Sequence, residues 1–258
     1  MTTCNIRYIV HSDDKRRQIN FTPLVRFTFQ SKKDQMTAMT SSIKLNELKT
    51  SRTYAGISLE LRKKQRKKQF LQAGLNAFGS TGFRTATVRS LCKEAQLTDR
   101  YFYQSYGSLE GLLVAVYERC MTELSKKILQ SISSEFAKSD AKSAISAGLD
   151  AYFKELEDPR VARICMIELE GISPEVNRLY YKYIDSFAAL LVELTRRAYP
   201  DWRTNQQEQG IIALSFVGAM RQAATNWLIT DYATERKVMV SATSKLFFGI
   251  MMLIEEES

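Results

Sequence analysis

A single histidine, His11, occurs in the 258 residues. That scarcity removes the residue on which a Ser-His-Asp triad, a histidine-rich zinc site or a core histidine base depends. Four cysteines, Cys4, Cys92, Cys120 and Cys165, stand far apart with no CxxC pair, which suits neither a zinc ribbon nor a disulfide framework. They read as small core hydrophobes in a reducing compartment. No stretch reaches the roughly 18–20 uninterrupted apolar residues of a membrane span, and MTTCNIRYIV lacks the apolar core of a secretion signal. The expected location is therefore the cytoplasm, with no membrane partner. The chain also lacks GxGxxG, GxxxxGK[ST] and GxSxG, so neither the common nucleotide signatures nor the nucleophile elbow is present. No catalytic residue, cofactor or metal is expected.

What the chain does have is uneven charge. Residues 61–110 hold ten basic and three acidic residues, residues 1–60 hold ten and five, and residues 111–258 hold seventeen and twenty. A short, strongly electropositive region points to an acidic polymer or an anionic surface as partner. Only four prolines occur, and Pro159, Pro174 and Pro200 stand at joints between segments of helical period. The fold class is all-α, with about nine helices. Residues 1–50 are the exception, with short β-prone pieces and a polar stretch, SKKDQMTAMTSS, that has no amphipathic period. They read either as a flexible arm or as an over-long start ahead of Met36 or Met39.

From Leu59, six basic residues fall within the seven positions Arg62 to Lys68, and Phe70, Leu71, Gly74, Leu75 and Phe78 then line one face of a helix. The run ends at Gly79-Ser80-Thr81-Gly82, where a glycine can take a left-handed conformation. Thr87 is placed to cap a second helix carrying Val88, Leu91, Cys92 and Ala95 on its buried stripe. Gln96-Leu97-Thr98 then makes a tight connection to a third short helix, Asp99 to Ser105, with Thr98 as its cap. Gly107-Ser108 breaks the chain, and a longer helix starts at Leu109.

Two short capped helices joined by a tight turn beside a basic cluster are the sequence form of a helix-turn-helix, whose second helix enters the DNA major groove. Arg100 and Gln104 can make paired hydrogen bonds to base edges, and Tyr101 and Tyr103 can meet thymine methyls or phosphates. The free amides behind Thr87 and Thr98 can seat phosphates. Arg52, Arg62 and Lys63 can follow the minor groove or flanking phosphates, adding affinity without sequence preference. Phe102 reads as core.

The stretch RKKQFLQAGLNAFGSTGFRTATVRSLCKEAQLTDRYFYQSYGSLEGLLVAVYE resembles the DNA-binding domain of TetR-family transcriptional regulators, over about residues 66–118. The resemblance rests on Phe78, Gly82-Phe83, Thr87-Val88, Leu97-Thr98, Phe102-Tyr103, Tyr106, Ser108, Glu110 and Leu112-Leu113. The lead-in RTYAGISLE also resembles a subset of the family. Two positions depart from the pattern. Gln96 stands where the turn usually holds glycine, and Leu109 stands where a phosphate-binding lysine is often found. The resemblance implies a helix-turn-helix domain over residues 51–108 and a helical ligand-binding and dimerisation domain over 109–258, with residues 1–50 outside both.

In the second part, helices read at about 141–157, 160–170, 174–198 with Ser173 as cap, 204–230 and 234–254. Met166, Tyr180, Tyr183, Phe187, Met220 and Trp227 are candidates to line an apolar effector cavity, with ordinary helix packing as the rival reading. Glu168 and Glu170 near Arg163 are a further polar anchor or a plain ion-pair cluster. The runs IIALSFVGAM and KLFFGIMMLI call for a second subunit, and small residues at Gly218, Ala219, Ala223 and Ala224 would let a partner helix approach.

The function expected is a homodimeric, ligand-released repressor on a palindromic DNA operator, with a small apolar effector and the helix from Leu109 as lever. The alternative is a basic helical protein docking on an anionic membrane or a protein partner through residues 59–78. An enzyme using Glu168 or Cys165 is the weakest reading.

Overall fold

The computed structural model describes residues 58–136, 141–199 and 202–256. Residues 1–50, Arg52 and most of the RTYAGISLE lead-in lie outside them. The described residues form one compact unit. Among the described residues there are nine α-helices, one 3-10 turn (Phe83–Thr85) and no strand. The helices are α1 (Leu59–Ser80), α2 (Val88–Ala95), α3 (Asp99–Tyr106), α4 (Leu109–Phe136), α5 (Ala141–Glu155), α6 (Pro159–Met166), α7 (Pro174–Ala198), α8 (Gln206–Ile229) and α9 (Arg236–Glu256). The all-α expectation holds.

Local chemistry sets most of the boundaries. Ser58, Thr87, Asp158, Ser173 and Asn205 each stand at an N-cap and accept a hydrogen bond from a first-turn amide, relieving part of the unsatisfied N–H set there. Thr87 goes further: its Oγ1 accepts from the Ser90 amide while Ser90 Oγ accepts from the Thr87 amide, closing a reciprocal capping box. Thr98 occupies the cap position of α3 in extended conformation, but its side chain makes no capping bond; Asp99 Oδ1 instead accepts from the Arg100 amide at 2.7 Å.

One expectation becomes specific and two need correction. The glycine with positive φ after α1 is Gly82, at +90°, whereas Gly79 is a buried helical residue whose added Cβ would stand 2.7 Å from Arg160 Cα. Gly79 is thus small so that α6 can lie against α1. The helix expected over 160–170 ends at Met166, because the Ile167 and Glu168 amides both turn back to the Arg163 carbonyl. Ala224, read as open to a partner, is buried within its own subunit, while Gly218 and Ala219 are exposed and Ala223 half-buried.

The hydrophobic core begins between α1, α2, α3 and the start of α4. Phe70, Phe78, Leu91, Phe102, Leu112 and Leu113 are wholly buried there, and the Phe70 and Phe102 rings meet edge to face with centroids 5.4 Å apart. It continues without a break along α4 into the packing of α5, α6, α7 and α8. Cys120 on α4 and Cys165 on α6 are buried free thiols close enough to influence each other's titration, as core thiols can be. Helix α6 packs on α1, α4 and α8, and so touches both ends of the unit.

A candidate nucleic-acid interface and an apolar cavity

The turn between α2 and α3 depends on Gln96. It takes φ 54° and ψ 40°, the left-handed region, where a side chain is unfavourable and glycine is at ease. Its amide and that of Leu97 close the end of α2 by bonding to the Lys93 and Cys92 carbonyls. The departure from glycine noted in the sequence is therefore met by the same backbone geometry, at some strain.

Helix α3 is then pinned from one side. Phe102 is fully buried, and Tyr106 Oη donates to the Lys67 carbonyl of α1 at 2.8 Å, with burial pushing the phenol up to about 12. Arg66 lays its guanidinium over the Tyr101 ring, 4.1 Å from the centroid. The basic run of α1 is thereby held against α3. Arg100, Tyr103 and Gln104 remain exposed on α3, Tyr103 by 56%. Thr87 and Thr98 are also exposed, at the N-termini of α2 and α3. Tyr101 is half-buried beneath Arg66, Arg62 is half-buried, and exposed Lys63 pairs with Glu60 at 2.9 Å. Arg66 escaped the sequence reading, because in a run of six basic residues nothing singles out the one whose helical phase faces α3.

The second site is a cavity bounded by α4, α5, the end of α6, α7, α8 and Phe247 of α9. It encloses about 1150 Å³, counting a mouth open to solvent. Helix α4 supplies one face of it through Tyr117, Met121, Leu124, Ile128, Ile132 and Phe136, spaced at three to four residues. Of the residues expected from sequence, Met166, Tyr180, Phe187 and Met220 line the space. Tyr183 and Trp227 do not. Tyr183 sets its ring edge to face with Tyr117, centroids 5.3 Å apart. Trp227 is buried against Phe153 and Tyr232, and its Nε1 donates to the Thr234 carbonyl at 2.6 Å.

Polarity gathers where Tyr117, Tyr152, Tyr180 and Arg221 meet. Tyr152 Oη donates to the Met220 carbonyl at 3.4 Å, and burial pushes the Tyr117, Tyr152 and Tyr180 phenols up, so they stay neutral. Among the described residues, Arg221 is the one charged side chain lining the cavity. Its Nη2 donates to the Met166 carbonyl at 2.6 Å and to Glu170 Oε2 at 3.3 Å, and its guanidinium lies 4.9 Å from the Tyr180 centroid. The only sequence signal for it was an arginine placed directly after the apolar run that ends at Met220.

Glu168 does not enter the cavity. Its side chain is 8% exposed; Oε1 accepts from Arg163 Nε at 2.6 Å, and Oε2 accepts from the Phe83 amide at 2.7 Å. One carboxylate thus joins α6 to the turn that leads into α2. Alongside it, Arg160 Nη1 donates to Asn76 of α1 at 2.9 Å, and Asn76 Nδ2 donates to Glu94 of α2 at 2.6 Å.

No family model and no curated protein matches the sequence. Solved structures do match. The fatty acid degradation regulator FadR from Bacillus halodurans is 19% identical with a TM-score of 0.63, covering 71% of this chain and 95% of its own. The FadR regulator from Bacillus subtilis, solved in complex with stearoyl-CoA, is 15% identical with a TM-score of 0.61, covering 69% and 96%. A TetR-like transcriptional regulator from a Rhodococcus species is 15% identical with a TM-score of 0.58, covering 72% and 96%. The chain has the fold of TetR-like transcriptional regulators. Among the described residues, no helix is long and apolar enough to cross a membrane.

Proposed function

We propose that this protein is a TetR-family, sequence-specific DNA-binding regulator that acts in the cytoplasm as a homodimer and is released from its operator by an apolar effector. The observation that carries this reading is the presentation of Arg100, Tyr103 and Gln104 on an exposed face of α3, with the Thr87 and Thr98 helix ends beside them and the basic run of α1 packed alongside. Side chains able to read base edges sit among groups able to hold phosphates, which is the division of labour a duplex requires. In this reading residues 51–108 bind DNA and residues 109–258 bind ligand and partner.

The dimer is supported by unpartnered apolar surface on the last two helices. Ile211, Leu214, Val238, Leu246, Met252 and Leu253 are exposed, and a Cβ added at Gly210, Gly218 or Gly249 would meet nothing. A second copy laid against α8 and α9 would bury these side chains and come close over the glycines. Two α3 helices would then face a palindromic operator.

Effector control acts through α4 and α6 together. Helix α4 carries residues of both the α1–α3 core and the cavity wall, as expected of the segment from Leu109. Helix α6 adds a shorter route: Met166 lines the cavity and receives Arg221, while Glu168, two residues on, holds the Phe83 amide. A ligand that displaces the end of α6 changes the seating of the turn before α2, and by linkage DNA opposes that ligand. The stearoyl-CoA complex of the Bacillus subtilis neighbour is consistent with an effector bearing a long acyl chain.

The test is selection of a duplex from a randomised library, followed by fluorescence anisotropy at several salt concentrations. A palindrome whose base preference relaxes on Arg100→Ala or Gln104→Ala, and whose affinity falls uniformly on Lys63→Ala, is the expected result. Enrichment of no sequence, with all binding abolished by modest salt, would refute the reading.

A further inference from the structure

Arg221 presents a charge problem inside an otherwise apolar space. Its Nε is enclosed by protein and has no hydrogen-bond partner. A buried guanidinium donor left unpaired is destabilising, and its neighbours satisfy only Nη2. The nearby carboxylate, Glu170, is 60% exposed and reaches the guanidinium at 3.3 Å, a long and solvent-screened contact. The cation therefore stands ready for a better anion. From Tyr117, beside Arg221, the apolar wall of α4 continues to Phe136, about 28 Å along the helix axis. A compact ring would use little of that length.

We propose that the cavity holds an extended aliphatic carboxylate, its ionised head on Arg221 and its chain along the α4 wall toward Phe136. The head accepts from the open edge of the guanidinium, at Nη1, which unlike Nε is not enclosed, and the Tyr117, Tyr152 and Tyr180 phenols close to Arg221 stay neutral. This rests on the effector-binding part of the proposed function and narrows it to a free acid, recognised by charge at one end and by apolar length at the other. It differs from a thioester, whose carbonyl offers no full charge to the guanidinium and whose bulky head must lie outside.

The experiment is calorimetric titration of the full-length chain with hexadecanoate, hexadecanol and hexadecanoyl-CoA, all below micelle formation. Hexadecanoate is expected to bind at least about tenfold more tightly than the alcohol, the ordinary gain from a charge-assisted hydrogen bond. Arg221→Met should erase that difference by weakening the acid, and Arg221→Lys should restore part of it. Equal binding of acid and alcohol, or tighter binding of the thioester, overturns the proposal.

Since Arg221 also supports the Met166 carbonyl, a second measurement leaves the protein unaltered. The carboxyl resonance of labelled hexadecanoate, followed by NMR, should keep its ionised position to lower pH when bound than when free. Titration at the free acid's pH overturns the assignment. Operator selection run in parallel separates the two readings. A selected operator with no bound acid refutes the Arg221 anchor alone; acid held at Arg221 with no selectable operator supports the anchor and refutes the regulator.

Discussion

The two ends of this molecule are packed to different standards. Around α1, α2 and α3 the interior is solid: Phe70, Phe78 and Phe102 are wholly buried and aromatic edges meet faces. Between α4, α5, α7 and α8 the same kinds of residue surround an open space, and many of them are only half-buried. Close packing holds side chains in single positions, whereas a hollow lined by Met, Leu and aromatic residues can accommodate a guest. The solid end suits a surface whose geometry must stay fixed, and the hollow end suits one that must yield. Helices α4 and α6 belong to both.

The sharpest way to break that contrast is to remove one aromatic ring from each end. Phe102→Ala should lower stability by about 3–5 kcal/mol, because the site has no space to collapse into. Phe187→Ala, on the cavity wall, should cost about 1–2 kcal/mol, since its ring already faces empty volume. Equal losses in thermal or urea unfolding would mean that the two ends are packed alike.

Glu168→Gln probes the joint between the ends. It keeps the shape but removes the charge shared by Arg163 and the Phe83 amide, and should cost about 2 kcal/mol. Amide exchange at Phe83 should quicken more than at Leu91. An unchanged Phe83 would show that α6 does not hold the turn.

Asp158 tests the seating of α6 through pH. Hydrogen bonds from Arg160 hold its carboxyl below the usual range, so the folded form releases the proton more readily than the unfolded chain. The stabilisation is therefore present above about pH 4, the unfolded carboxylate range, and is lost as pH falls through the depressed folded value. Asp158→Asn keeps a capping oxygen but loses the charge paired with Arg160, so it should cost up to about 1 kcal/mol at neutral pH and should flatten the acid limb of the stability profile. The smallest effect belongs to Gln96→Gly. Relief of a left-handed side chain should raise stability by about 0.5–1 kcal/mol in a melting experiment, offset in part by greater freedom of the unfolded chain. A loss instead would show that the Gln96 side chain does more than tolerate the turn.

Much of the fold was legible along the chain. Caps at Thr87 and Ser173, prolines at Pro159 and Pro174, and the apolar stripe from Phe70 to Phe78 are local signals, read by the first turn or the helical phase alone. The early end of α6 was not, because it follows from backbone bonds returning to the Arg163 carbonyl and from Arg221 reaching Met166 from another helix. The cavity was half legible for the same reason. Met166, Tyr180, Phe187 and Met220 have the right chemistry and face it, whereas Tyr183 and Trp227 have the same chemistry and face aromatic neighbours.

The sequence by itself determined the helices, the capped pair with its tight turn, the basic run, and the want of histidine and metal-type cysteine spacing. These follow from residue type and short-range geometry, which act wherever the segment happens to lie. Tertiary structure alone decided that Arg66 covers Tyr101, that Glu168 clasps the Phe83 amide, and that Arg221 is left with an unpaired nitrogen beside an apolar space. Each of these depends on where a distant helix places one side chain, and periodicity along a single helix carries no information about its partner's phase.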